Sequence, residues 1–193
     1  ANVKNFIFSS SAAVYGEPQY LPMDELHPTR PINFYGYTKL AIENLLGWYS
    51  KLRNLRFCIL RYFNAAGYDV DGELMGLEQN PNNLIPIVLE TVMGKRKKVE
   101  VFGSDYDTMD GSCVRDYVHV TDLADAHLRA LEYLNDKKND IILNLGSSKG
   151  LSVLEILRSV HEVCGQEFEY VIGPRRSGDP AVVLAKSELA TKR

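Results

Sequence analysis

The first apolar positions, Val3, Phe6, Ile7 and Phe8, cluster closely enough to read as a buried strand. Three serines follow, Ser9 to Ser11. Next comes a stretch punctuated by Gly16, Pro18, Pro22, Pro28 and Pro31, which reads as a long surface loop. From Tyr35 to about Leu52, Ala41, Leu45, Trp48 and Leu52 recur at spacings of four and three, which predicts an amphipathic helix with those four as its core stripe. Arg56 to Phe63 is a second apolar run. Strand, helix and strand in this order make a βαβ unit, which requires a parallel sheet and a right-handed crossover.

Gly67 to Asn83 has no period and is expected to be irregular, whereas Leu84 to Met93 reads as a helix stopped by Gly94. Val99 to Phe102 is a short strand, residues 103 to 116 are polar, and Val118 to Val120 leads into Thr121, the expected N-cap of a helix ending near Leu134. Ile141 to Leu145 is a buried strand closed by Gly146. Ser152 and Glu155 form a capping box ahead of Leu154, Leu157, Val160 and Cys164. The fold class is α/β, without internal repeats or linkers.

Composition narrows the function classes. With 45% hydrophobic and 24% charged residues the chain can bury a core, which excludes disorder. A net charge of −3 gives no reason for a nucleic-acid or anionic-membrane partner, and the basic cluster Lys95 to Lys98 is too short to supply one. No apolar run approaches the roughly 18 residues of a membrane span, and the N-terminus lacks a secretory pattern, so a soluble protein is expected. Cys58, Cys113 and Cys164 are odd in number and without metal-ligand spacing, which argues against disulfides or a metal site and for the cytoplasm. The chain opens at Ala1 without a methionine, and Lys186 to Arg193 starts a helix-like segment that stops early, so both ends are expected to be cuts in something longer.

Chemistry concentrates in Tyr35-Gly36-Tyr37-Thr38-Lys39, 24 to 26 residues after the serine run. On a helix, i and i+4 share a face, so the Tyr35 hydroxyl and Lys39 ammonium can approach one site, where a nearby cation favours the phenolate. A free tyrosine titrates near about pH 10, so a base acting near neutrality needs that help. Ser11, at the C-terminal end of a parallel strand, stands where doubly wound sheets hold their ligands.

Phe8-Ser9-Ser10-Ser11-Ala12-Ala13-Val14-Tyr15-Gly16, Tyr35-x-x-x-Lys39 and Leu60-Arg61-Tyr62-Phe63-Asn64 resemble the extended short-chain dehydrogenase/reductases. Pro81-Asn82-Asn83-Leu84, Phe102-Gly103-Ser104-Asp105-Tyr106 and the run Asp110 to Val120 narrow the resemblance to the UDP-glucose (UDP-galactose) 4-epimerases. The resemblance implies an incomplete Rossmann-like, doubly wound parallel sheet from residues 1–66 and 117–147. A smaller α/β substrate-binding domain would come from 67–116 and 148–193. It implies NAD-dependent 4-epimerisation of a UDP-hexose through a 4-keto sugar, in galactose metabolism, by a homodimer. Ser11, Tyr35 and Lys39 would be catalytic, with Ser9, Tyr35, Lys39 and Tyr62 on the cofactor. Asn64, Asn83, Leu84, Phe102, Arg115, Tyr117, Arg176 and Asp179 would hold the UDP-sugar, with Phe102 beside the uracil, the arginines on the diphosphate and Asp179 on a ribose hydroxyl. His119 is left as structural. A nucleotide-sugar dehydratase or decarboxylase, or a non-catalytic binding module of the same fold, is the alternative.

Two departures stand out. Ala13 replaces a threonine common in such enzymes, so that hydrogen bond to the sugar is expected to be missing or to be supplied by Ser10 or water. None of the 14 glycines forms the G-x-G-x-x-G turn that cradles a pyrophosphate. Roughly a hundred residues are therefore expected upstream, and the 193 alone are expected to aggregate at an exposed edge and not to turn over. In the run Val182-Val183-Leu184, Val182 is expected to face the sugar and leave room for an N-acetyl group.

Overall fold

In the computed structural model, which describes residues 3–74, 80–137 and 139–193, the apolar opening run and the three serines form a single strand, β1 (Asn5–Ser11). A 3-10 turn over Ala12–Val14 and a long loop lead to α1 (Phe34–Arg53), β2 (Arg56–Tyr62), β3 (Asn64–Ala66) and α2 (Leu84–Val92). Then come β4 (Val99–Phe102), β5 (Val114–His119), α3 (Val120–Asp136), β6 (Ile141–Leu145), β7 (Gly150–Ser152), α4 (Val153–Cys164), β8 (Tyr170–Gly173), β9 (Val182–Val183) and α5 (Glu188–Thr191).

Strands β1, β2 and β6 lie in that order, all parallel, with Asn5 opposite Arg56 and Ser11 opposite Tyr62. Alternate residues of β2 point to opposite faces and both sets are apolar, so both faces need cover. Phe57 and Ile59 pack with Leu46 of α1 and with Phe8, while Cys58 and Leu60 pack with Leu123, Ala130 and Leu134 of α3. Burying such a side chain contributes about 1.5–3 kcal/mol, enough to fix α1 and α3 on opposite faces. The α/β class with a parallel sheet is thus observed. A second group forms around β5, which pairs with β3 and β9 in parallel and with β7 antiparallel, while β4 pairs with β8 beside α2 and α4.

The stripe assigned to α1 is corrected. Leu45, Trp48 and Leu52 are 53%, 61% and 71% exposed and Ala41 is exposed too, whereas Gly36, Glu43 and Leu46 are buried and Leu40 is half-buried. The helix carries two competing stripes, and the one facing the sheet contains a carboxylate that a hydropathy pattern counts as polar. Strand β5 starts at Val114 and not Val118, because its partners β7 and β9 recruit residues that read as loop. The N-cap of α3 is His119, whose Nδ1 accepts from the Thr121 amide at 3.2 Å. The Ser152–Glu155 capping box is present. Of the irregular stretch Gly67 to Asn83, residues 75–79 lie outside the described residues.

Candidate active site

The serine run ends β1, and strand alternation sends its hydroxyls in different directions. Ser9 is exposed and Ser10 buried, while the half-buried Ser11 caps the 3-10 turn by accepting from the Ala13 amide at 3.2 Å. Asn33 starts α1 by accepting from the Gly36 amide at 2.8 Å. Gly36 is required there, since a Cβ would collide with the Ala13 carbonyl, so the turn carrying Tyr35 lies directly on the turn after Ser11. One helical turn on, Lys39 Nζ donates to the Ser9 carbonyl at 2.9 Å and stands 5.6 Å from the Tyr35 ring centroid. Tyr35 is 55% exposed.

On the α3 side, the Tyr62 hydroxyl lies 2.9 Å from Ser9 Oγ and 2.7 Å from His127 Nε2, and His127 Nδ1 lies 2.7 Å from the Leu123 carbonyl. A carbonyl only accepts, so Nδ1 carries the proton and Nε2 accepts from Tyr62. Burial raises the Tyr62 hydroxyl above its ordinary range, against the lowering effect of Ser9, and burial pushes Tyr117 up to about 12. Both stay protonated near neutrality.

Two connected clefts run from this point. The nearer is lined by Ser11, Ala13, Tyr62, Asn64, Arg115, Asp179 and Val183. The farther one shares Asn64, Arg115 and Asp179 and adds Asn83, Leu84, Phe102, Tyr117 and Arg176. Of the two adjacent arginines, Arg175 is engaged with Asp105 at 2.7 Å and covers the Tyr106 ring, whereas Arg176 lies over the Phe102 ring with 3.8 Å to its centroid. Arg115 reaches Asp179 at 3.2 Å and donates to the Val114 and Pro180 carbonyls at 2.9 Å each. Asp116, with no exposed surface, accepts from the amides of Ser147 (2.6 Å), Ser148 (3.0 Å) and Ala185 (3.0 Å) and from the Ser147 hydroxyl (2.8 Å). It joins β5 to the turn after β6 and to the chain after β9, which sets the cleft walls.

Every expected substrate residue thus meets in the two clefts, with Ser11 and Tyr62 at their inner end. Ser9, on β1, and Tyr35 and Lys39, on the first turns of α1, stand beside them. Two expectations are corrected. Ser10 cannot supply the hydrogen bond that Ala13 lacks, because its buried hydroxyl donates to Glu43 Oε1 at 2.5 Å. Val183, not Val182, lines the nearer cleft, because β9 pairs with β5 in a register that puts Val183 opposite Arg115. His127 had no sequence signal and joins the site through the placement of α3, whereas Cys113 and Asn82 lie inside the runs that carried the resemblance and line the farther cleft. Among the described residues no group of three or more His, Cys, Asp or Glu is placed to hold a metal ion, and no helix is long and apolar enough to cross a membrane.

The hydroxyls of Ser9 and Tyr62 and the Lys39 ammonium, which keeps spare donors, fit the ribose and nicotinamide end of a dinucleotide laid across the ends of β1 and β2. Residues 1–146 match the model of the NAD dependent epimerase/dehydratase family. The chain is 49% identical over 190 residues to a UDP-glucose 4-epimerase of Halalkalibacterium halodurans, covering 98% of this chain and 57% of that protein. A UDP-glucose 4-epimerase from Stenotrophomonas maltophila, crystallised with NAD and formylated UDP-arabinopyranose, superposes with a TM-score of 0.95 at 41% identity over 100% of this chain and 58% of that one. The UDP-Glc/GlcNAc 4-epimerase of Campylobacter jejuni superposes at 0.80 with 42% identity, over 98% and 57%. The chain therefore spans a little over half the length of these relatives.

Proposed function

The chain belongs to the NAD dependent epimerase/dehydratase family, and from that premise we propose that the intact protein interconverts UDP-glucose and UDP-galactose with NAD as its cofactor. The observation that carries this reading is the helix turn bearing Tyr35 and Lys39, seated on the turn after Ser11, beside a cleft lined by Ser11, Arg115 and Asp179 that continues to Phe102 and Arg176. A bound NAD would supply reversible hydride exchange at the sugar C4. The chain's own task is then to move one proton and hold one nucleotide. Tyr35 takes the 4-hydroxyl proton, Ser11 orients that hydroxyl, Lys39 holds its ammonium beside the Tyr35 ring, and the sugar passes through a 4-keto form that re-presents its other face. Ligands concentrated on the nucleotide leave the sugar free to turn. We read residues 1–66 and 117–147 as the nucleotide-binding part and 67–116 with 148–193 as the substrate part.

A dehydratase or decarboxylase needs a further acid or base beside the sugar. Asp179 is the one carboxylate among the residues lining the nearer cleft, and it is paired with Arg115. In the loop, Asp24 holds Tyr20 and the Leu26 amide, and Glu25 holds the Asn144 amide. A purely non-catalytic module would have no use for Ser11, Tyr35 and Lys39 together. The exposed stripe of Leu45, Trp48 and Leu52 supports a homodimer, to be read as a sedimentation mass of two chains. The three unpaired cysteines support the cytoplasm. The direct test is incubation of the intact protein with UDP-galactose and NAD. Appearance of UDP-glucose without net NADH is expected, and its absence overturns the proposal.

Two predictions refine the cleft. Arg115→Ala and Arg176→Ala should each weaken binding of UDP alone by roughly 1.5–3 kcal/mol, the range for hydrogen bonds to charged groups. Calorimetry reads it, and unchanged affinity in both would assign these arginines to surface pairing. Val183 leaves room that a tyrosine would fill, so the protein should also epimerise UDP-N-acetylglucosamine, and Val183→Tyr should suppress that activity selectively by an overpacking penalty of roughly 1–3 kcal/mol. The comparison is kcat/KM for the two sugars in both proteins.

A further inference from the structure

Behind the site lies a polar cluster that the proposed chemistry leaves unused. Glu43 of α1 and Arg61 of β2 have side chains only 4% exposed. Glu43 Oε1 accepts from the Ser10 hydroxyl at 2.5 Å and from Arg61 Nε at 3.0 Å, and Oε2 accepts from Arg61 Nη2 at 2.6 Å. Arg61 directs a further N–H to the Tyr15 hydroxyl at 3.0 Å, which donates to Asn144 Oδ1 of β6 at 2.6 Å. Three of its members neighbour a site residue: Ser10 lies between Ser9 and Ser11, Arg61 precedes Tyr62, and Glu43 follows Lys39 by one helical turn and Tyr35 by two.

Holding the helix on the sheet does not require this pair. Leu46, Phe8, Phe57 and Ile59 already do so, and an apolar replacement of a buried ion pair is commonly neutral or stabilising. Apolar contacts, however, tolerate sliding, whereas a forked guanidinium–carboxylate pair has fixed geometry. We infer that Glu43, gripped by Ser10 and Arg61, is a positioning residue that fixes where α1 sits along β1, and so where the Tyr35 hydroxyl and the Lys39 ammonium stand relative to Ser11. The inference rests on the reading of those three residues as the reacting group. A displacement of about 1 Å caused by a change remote from the chemistry can cost on the order of a hundredfold in rate.

The test compares the intact protein with a paired apolar variant, Glu43→Leu with Arg61→Met, and with Ser10→Ala, which cuts only the link to β1. In the paired variant the melting temperature should hold or rise and the UDP Kd should stay within about twofold, while kcat falls by about tenfold or more. Amide exchange in residues 34–40 should quicken. Ser10→Ala should lower kcat in the same sense by about threefold or more with the UDP Kd unchanged. If kcat stays within about twofold of the parent in both variants, the pair serves the fold alone. If the paired variant does not fold, kcat of Ser10→Ala decides by the same limit. If the parent itself does not interconvert the two sugars, the functional reading falls instead, and unchanged exchange over 34–40 overturns the positioning role separately.

Discussion

Tyr35→Phe is expected to lower turnover by at least about a hundredfold, the usual scale for a lost general base, while the affinity for UDP stays unchanged. The substitution removes one oxygen and keeps the ring, so the first turn of α1 and its seat on the Ala13 carbonyl persist. No neighbour replaces the lost acceptor. Tyr62 and Tyr117 are held protonated by burial, and the Tyr62 hydroxyl already donates to His127. Asp179 is paired with Arg115. The far cleft, where UDP is proposed to bind, is not lined by Tyr35. Steady-state kinetics with UDP-galactose and calorimetry with UDP decide it. Near-normal turnover would make Tyr35 structural and remove the proposed base.

The chain's local signals were legible where one element satisfied its own rules. The capping box at Ser152 and Glu155, the strand over Ile141–Leu145 and the helix from Leu84 all depend on neighbours in sequence, and all are observed. The site's inner end was legible for the same reason, because a strand end and an i, i+4 pair are local features. What failed depends on tertiary partners. The stripe Ala41, Leu45, Trp48 and Leu52 is as periodic as the buried one, and the face turned inward is the one whose Leu46 packs on Phe57 and Ile59 and whose Glu43 meets the Arg61 guanidinium. Ser10 reads like its neighbours Ser9 and Ser11 until that same carboxylate removes its hydroxyl from the site. Val182 and Val183 are equivalent as letters, and pairing with β5 selects the second. The start of β5 likewise follows from partners that arrive some 35 to 70 residues later in the chain.

Asp116 should prove the most costly single truncation in the frame around the cleft. Asp116→Ala strands three amides, those of Ser147, Ser148 and Ala185, in a site with no exposed carboxylate surface. An unsatisfied buried donor costs about 1–3 kcal/mol, so with some relaxation the loss should total about 3–5 kcal/mol. At roughly 2–4 °C per kcal/mol for a chain of this size, the melting temperature should drop by on the order of 10 °C. Asp116→Asn should fall between the two, because its carbonyl can still serve Ser147 while its NH2 group meets the Ser148 and Ala185 amides donor to donor. The functional consequence differs in kind from that at Tyr35. Asp116 sits between Arg115 and Tyr117, and it anchors the chain that leaves β9, so loosening it should spread the far cleft and weaken UDP binding, the quantity that Tyr35→Phe spares. Thermal melts and UDP calorimetry on both Asp116 variants read the two effects. An Asp116→Ala protein with parental melting temperature and UDP affinity would mean that the turn after β6 and the chain after β9 are held by other contacts.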